Sequence, residues 1–405
     1  MKPLSGVATL LYGIVSLGVA VAALVAPSFR ANAWLAYAPL RELLVPQPEP
    51  IVLTLLYSTE KEAWLTETLA ALARDDLRVD GRPIRVEGQP LGSREIVLAV
   101  LDGEAQPDLI SPASSLQLRI LADQSLARNG QALVDLADTR HCRPVLETPL
   151  VLVAWRDRAE VLWGRAPGPA LWQDLQARVT DPQGWAGLGQ PDWGFVKYGQ
   201  SDPLRSNSGF MAVVLMTYAY FDKTSGLANQ DVLTDVGFQA WLAAFQNNAV
   251  HPFSQSTGPL MTDMIQIGPS RYDLAAVYEA TAIEQAENAL GRYGELRIYY
   301  PPATVMSDHP FCLLRAGPAA PWITDEKTRA AEVVLAYLTD IPAQERALVD
   351  HGFRPVNPAV ALEQPASPFA RYAANGLQLA LPPEVELPPG DVLNTLLELW
   401  DRLVD

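Results

Sequence analysis

Cysteine and histidine are scarce in this chain: 405 residues hold two of the first and four of the second. Cys142 and Cys312 cannot form the CxxC pairs of zinc ribbons or thioredoxin-like redox centres. In an exported protein an even, widely spaced pair closes one long disulfide loop; two buried free thiols are the alternative. His141, His251, His309 and His351 are scattered, and His251 and His309 precede proline. The chain has no GxSxG elbow, no HExxH, no phosphate-cradling loop and no GxGxxG at a strand–helix junction; GLGQPDWG at 187–194 has neither the spacing nor the context. Asp202, Glu279 and Asp308 are available as acid or base, but no motif places them together, so no enzyme activity and no cofactor are expected. Positive charge is also short, with 30 Lys and Arg against 46 Asp and Glu and a net charge of −16. Such a surface repels nucleic acid phosphates and anionic bilayers, which excludes nucleic acid as a partner. Low-complexity tracts and internal repeats are missing too.

What is present describes a folded protein. Hydrophobic residues make up 49% and charged residues 19%, while 34 prolines and 26 glycines imply many turns. A chain of this length divides naturally into more than one core. Residues 7–27 carry no charge over 21 positions, the length of a helix of roughly 30 Å that spans a hydrocarbon core. Residues 1–33 therefore read as a membrane anchor, a single-pass transmembrane helix with the body in the periplasm or outside the cell. A cleaved signal segment is the alternative, because Ala31-Asn32-Ala33 resembles a cleavage site. Residues 34–50, with prolines at 46, 48 and 50, read as an extended stalk.

Strand-like and helix-like segments then alternate. IVLTLLYS (51–58) is followed by the helical EKEAWLTETLAALARDD (60–76), IRVEGQPLG (84–92) by SREIVLAVLDG (93–103), and PDLIS by a helix starting after Ser114. This βαβα order predicts an α/β fold with a mainly parallel sheet. TPLVLVAWR, from Thr148, is strand-like without a helix of its own; helices are expected at 208–220 and 235–248, a strand at LAAVY, and one amphipathic helix within 327–355 ending near Gly352.

The succession YSTEKEAW, PDLISPASS, TPLVLVAWR, LWQDL, KYGQSDPLRSNSG, LAAVYEAT, IYYPPAT and GFRP resembles the bacterial extracellular solute-binding proteins of the type 2 periplasmic class, the binding components of ABC importers, with sulfate and molybdate binders nearest in pattern. The resemblance implies a two-lobe fold with two crossover strands, lobe one from 51–150 plus 298–405 and lobe two from 151–297, closing on a solute in the cleft. It implies an ABC permease or another membrane protein as partner.

In such a fold, ligands lie at the carboxyl ends of strands beside helix N-termini, whose first N–H groups lack partners. Three polar helix starts qualify: Ser58-Thr59, Ser114-Ser115, and Ser206-Asn207-Ser208-Gly209 with Arg205 before it. Each is also an ordinary cap, and Arg205 an ordinary surface residue. Tyr278 stands where the family presents a tyrosine to the ligand. Glu279 beside it repels a bare oxyanion and keeps a polyol, an amine or a cation open as ligand, or else it forms a salt bridge. The expected function is a membrane-anchored solute-binding protein for a small polar or anionic ligand; the alternative is a docking module of the same fold that binds no solute.

Overall fold

The computed structural model describes residues 6–25, 48–164 and 167–404. The Ala31-Asn32-Ala33 triplet and the stalk before residue 48 lie outside them. The chain forms two compact units, the smaller made of Met1–Ile51 and Arg78–Pro83. It contains the helix Gly6–Val25, 20 residues long. The side chains described in this helix are those at 10–18 and 21, most of them exposed. Among the described residues no helix is long and apolar enough to cross a membrane.

The larger unit is built on two sheets. Its strands are β1 (Ile51–Ser58), β2 (Arg78–Val79), β3 (Arg82–Leu91), β4 (Leu109–Ser111), β5 (Cys142–Pro144), β6 (Thr148–Trp155), β7 (Tyr198–Gly199), β8 (Leu274–Tyr278), β9 (Leu296–Tyr299), β10 (Met306–Ser307) and β11 (Pro310–Leu313), of which β2 falls in the smaller unit. In the first sheet the order runs β3-β1-β4-β11-β5. β1 and β4 are parallel, with Tyr57 opposite Ser111, and β11 is antiparallel to β4 and β5. The second sheet runs β10-β6-β8-β7, with β9 also on β6.

Both sheets are mixed, which corrects the mainly parallel arrangement predicted from the alternation. The cause is the crossing strands. β6 is buried at all eight positions and runs antiparallel to β8, β9 and β10, so the chain enters this sheet against the direction of its neighbours. A strand buried on both faces must be apolar throughout, as TPLVLVAW is. Cys142 and Cys312 pair across β5 and β11 and form a disulfide, so the chain holds the bonded form of the two alternatives.

The expected helices form at Glu62–Arg74, Asn207–Tyr220 and Val236–Asn247. The run 327–355 is two helices rather than one, Asp325–Leu338 and Ile341–Val349. The first ends at Leu338 and Asp340 caps the second, accepting from Ala343 N at 2.9 Å, and Pro342 lies in the first turn, where its missing N–H costs nothing. Gly352 has φ of 70°, and a Cβ there would lie 2.9 Å from Ile283 Cγ2.

The C-terminal helix Gly390–Leu403 packs against the helix Ser115–Asn129 of the first sheet and against Asn229–Thr234 and Val236–Asn247, helices of the region between β7 and β8. Gln124 Nε2 donates to Asn394 Oδ1 at 2.8 Å, Asn229 Nδ2 to Asp391 Oδ2 at 2.7 Å, and Trp400 Nε1 to Gln246 Oε1 at 2.9 Å.

Candidate functional site

Strands β1, β4 and β8 end at Ser58, Ser111 and Tyr278, and helices start just beyond each. Side chains with short polar groups belong there because the chain must turn and the exposed N–H groups need acceptors. Between the ends of β1 and β8 and the helix Thr257–Ile267 lies a cleft of about 700 Å³. Thr59, Glu60 and Glu62 line it from one side, and Ser256, Tyr278, Thr281 and Glu284 from the other, with Asp350 and His351 completing the wall.

The polar helix starts form two buried groups. In the first, the Lys61 amine reaches Ser58 Oγ at 2.6 Å, the Ser111 carbonyl at 2.6 Å and the Pro112 carbonyl at 3.3 Å. Ser114 Oγ accepts from Leu116 N at 3.1 Å, while Ser115 N donates to Asp308 Oδ1 at 2.7 Å and its hydroxyl to the other carboxylate oxygen. In the second group, Asn207 Nδ2 donates to the Tyr278 hydroxyl at 3.1 Å, and Asn207 Oδ1 accepts from Gln117 Nε2 at 3.4 Å, a contact between elements on the two sheets. Ser208 Oγ hydrogen-bonds Thr257 Oγ1 at 2.6 Å and Ser201 Oγ at 2.7 Å, with Ser206 Oγ at 3.3 Å. Ser206 holds the capping position of its helix without a side-chain cap bond. Gly209 answers a packing demand, because a Cβ would lie 2.0 Å from the Ser201 carbonyl oxygen.

Two of the expected residues stand apart from these groups. Arg205 is exposed, 3.7 Å from Asp202. Glu279 is fully buried and bound by Arg354 through Nε at 2.8 Å and Nη2 at 2.7 Å, with the Tyr300 hydroxyl donating to it as well. It forms a salt bridge in the interior.

Residues 53–354 match the family of bacterial extracellular solute-binding proteins. The chain belongs to that family. A comparison with curated proteins finds no match. Among solved structures, the sulfate-binding protein SubI from Mycobacterium tuberculosis superposes with a TM-score of 0.52 at 17% identity, covering 85% of this chain and 96% of that one. Iron-bound HitA from Pseudomonas aeruginosa gives 0.53 at 14% identity, covering 87% and 99%. A substrate-binding protein of an ABC transporter from Agrobacterium tumefaciens gives 0.52 at 14% identity, covering 88% and 95%. At these identities the likeness establishes the α/β two-lobe fold.

Burial sets the electrostatics of this solute-binding chain's cleft. Desolvation lowers the Lys61 pKa to about 7, opposed in part by the charges of Glu60 and Asp308. Burial raises the Asp308 carboxyl, although the Ser115 hydrogen bonds favour its charged form. His309 is held well below its ordinary value by burial and by Lys61. Tyr278 is held well above its own by burial and by the Glu60 charge. Glu279 is raised by burial despite Arg354. The sequence reading missed Glu60 as a cleft residue and Lys61 and Asp308 as members of the first buried group. The signal for the first two was the strand end they follow; Asp308 lies 193 residues from its partner Ser115, beyond any local pattern. Among the described residues no cluster of His, Cys, Asp and Glu suits a metal ion.

Proposed function

We propose that the chain is an extracytoplasmic solute-binding protein whose lobes, 51–150 plus 298–405 and 151–297, close on a small polar solute carrying an amine or other cationic group. One observation carries the ligand class: Glu60 lines the cleft, and its Oε2 is buried without a hydrogen-bond partner among the described residues. A carboxylate oxygen removed from water needs a donor. Glu62, Glu284 and Asp350 line the same cleft, so a free oxyanion meets repulsion and a cation meets attraction. The polar atoms of Thr59, Ser256 and Thr281 are there to hydrogen-bond the rest of the solute.

A ligand that contacts both sides of the cleft stabilises the closed form alone, and that difference is what a receiving permease reads. The ABC-transporter relative supports an ABC permease in that role. The uncharged run 7–27 supports the first helix as the anchor that keeps the body at the outer membrane face; recovery of the protein in the membrane fraction, lost when residues 1–33 are removed, tests this.

Glu60→Gln should weaken solute binding about 10-fold to 100-fold, the equivalent of roughly 1.5–3 kcal/mol for a hydrogen bond to a charged group. Calorimetric titration of an amine that stabilises the protein measures it, and unchanged affinity would remove Glu60 from the site. The non-binding docking module is favoured by one feature: the polar groups at the helix starts, Lys61, Asn207, Tyr278 and Asp308, already bond to the protein's own atoms. A well-folded protein that no solute stabilises would decide for it.

A further inference from the structure

We propose that Asp308 is a built-in stand-in for an oxyanion, and that with the buried amine of Lys61 it closes the inner end of the cleft to free oxyanions. This rests on the reading of the cleft as the solute site and explains how that site selects.

A helix N-terminus at a strand end attracts anions because its first N–H groups have no partner. At the helix Ser115–Asn129 every one of the first three is taken: Ser115 N by Asp308 Oδ1 at 2.7 Å, Leu116 N by Ser114 Oγ at 3.1 Å, and Gln117 N by the Ser114 carbonyl at 3.1 Å. The Ser115 hydroxyl goes to the second oxygen of the same carboxylate. Two donors on two oxygens of one anion are what a bound oxyanion would take from this helix start. Lys61 is 1% exposed, and its amine is spent on Ser58, Ser111 and Pro112, so no cation is left to hold a free anion. Asp308 is fixed in place between β10, which pairs with the second sheet, and β11, which pairs with the first. Ser111 Oγ, fully buried and without a partner among the described residues, remains unused on the residue whose carbonyl takes Lys61.

Removing the carboxylate should free the Ser115 N–H and hydroxyl and open an anion position at this helix start. The test is thermal unfolding of the unaltered protein and of Asp308→Ala in sodium sulfate, against sodium chloride of equal ionic strength. A sulfate-specific rise of several degrees in Asp308→Ala, absent from the unaltered protein, is the expected result. A rise in both, or in neither, overturns the proposal. Should Asp308→Ala fail to fold, Asp308→Ser leaves the same opening and is read the same way; saturable sulfate binding by the unaltered protein contradicts the proposal in any case. The amine response of the unaltered protein separates the two claims. An amine response with no gained sulfate response sinks the stand-in and keeps the cleft reading, and a gained sulfate response with no amine response does the reverse.

Discussion

Single residues around the cleft divide into those that hold the protein together and those left over for a ligand. Glu279 belongs to the first kind: it is fully buried against Arg354, so Glu279→Ala leaves a guanidinium without its charge partner. Loss of one member of a buried pair costs about 3–5 kcal/mol, and a fall of that size in the free energy of denaturant unfolding is expected, with solute affinity retained if the variant folds. Lys61 gives a pH signature. Its folded pKa of about 7 lies below the value near 10.4 of an unfolded lysine, so between those values the unfolded chain binds the extra proton. Stability attributable to Lys61 therefore rises as pH climbs from about 7 towards about 10. Lys61→Met should flatten that rise in unfolding curves measured from pH 7 to 10; an unchanged slope would show that Lys61 is charged and fully compensated in the fold.

At the scale of elements, the sequence discloses those whose cause is local. IVLTLLYS, with its β-branched residues ahead of a polar turn, is a strand, and the spacing of Trp64, Leu65, Thr68, Leu69 and Leu72 makes a helix that buries all of these except the half-buried Leu69. The helix start at Asn207 was legible from Ser206-Asn207-Ser208-Gly209, yet the partners of these groups were not, since Tyr278 lies 71 residues from Asn207. The antiparallel entry of β6 depends on the other strands of its sheet and has no signature in TPLVLVAW. The C-terminal helix went unread for a related reason: its contacts are with Ser115–Asn129 and Asn229–Asn247, and only the assembled fold shows that it ties the two regions together. Trp400, in its last turn, is 5% exposed, bonded to Gln246 and in ring contact with Phe253. Trp400→Ala should cost about 3–5 kcal/mol of stability, read as a lower denaturant midpoint. A loss below about 1 kcal/mol would show that the helix is not held by this residue.

The whole molecule combines a net negative charge with a cleft lined by carboxylates. Net charge of −16 steers cations towards it and anions away. The two-lobe fold and the position of the cleft at strand ends were legible because motif order follows chain topology. Which carboxylates face the cavity was not, because no local pattern shows which side chains a cleft gathers. Glu279, the carboxylate that first argued against an oxyanion, is turned away into a salt bridge, whereas Glu60, Glu62, Glu284 and Asp350 face the cavity. The most direct test is thermal unfolding of the purified protein against amino acids, polyamines, sugars and oxyanions. A ligand at 100 times its dissociation constant stabilises the native state by about 2.7 kcal/mol, enough to shift the midpoint by several degrees. Stabilisation by an amine-bearing solute, abolished in Glu60→Gln, is the expected result; stabilisation by oxyanions alone would contradict it.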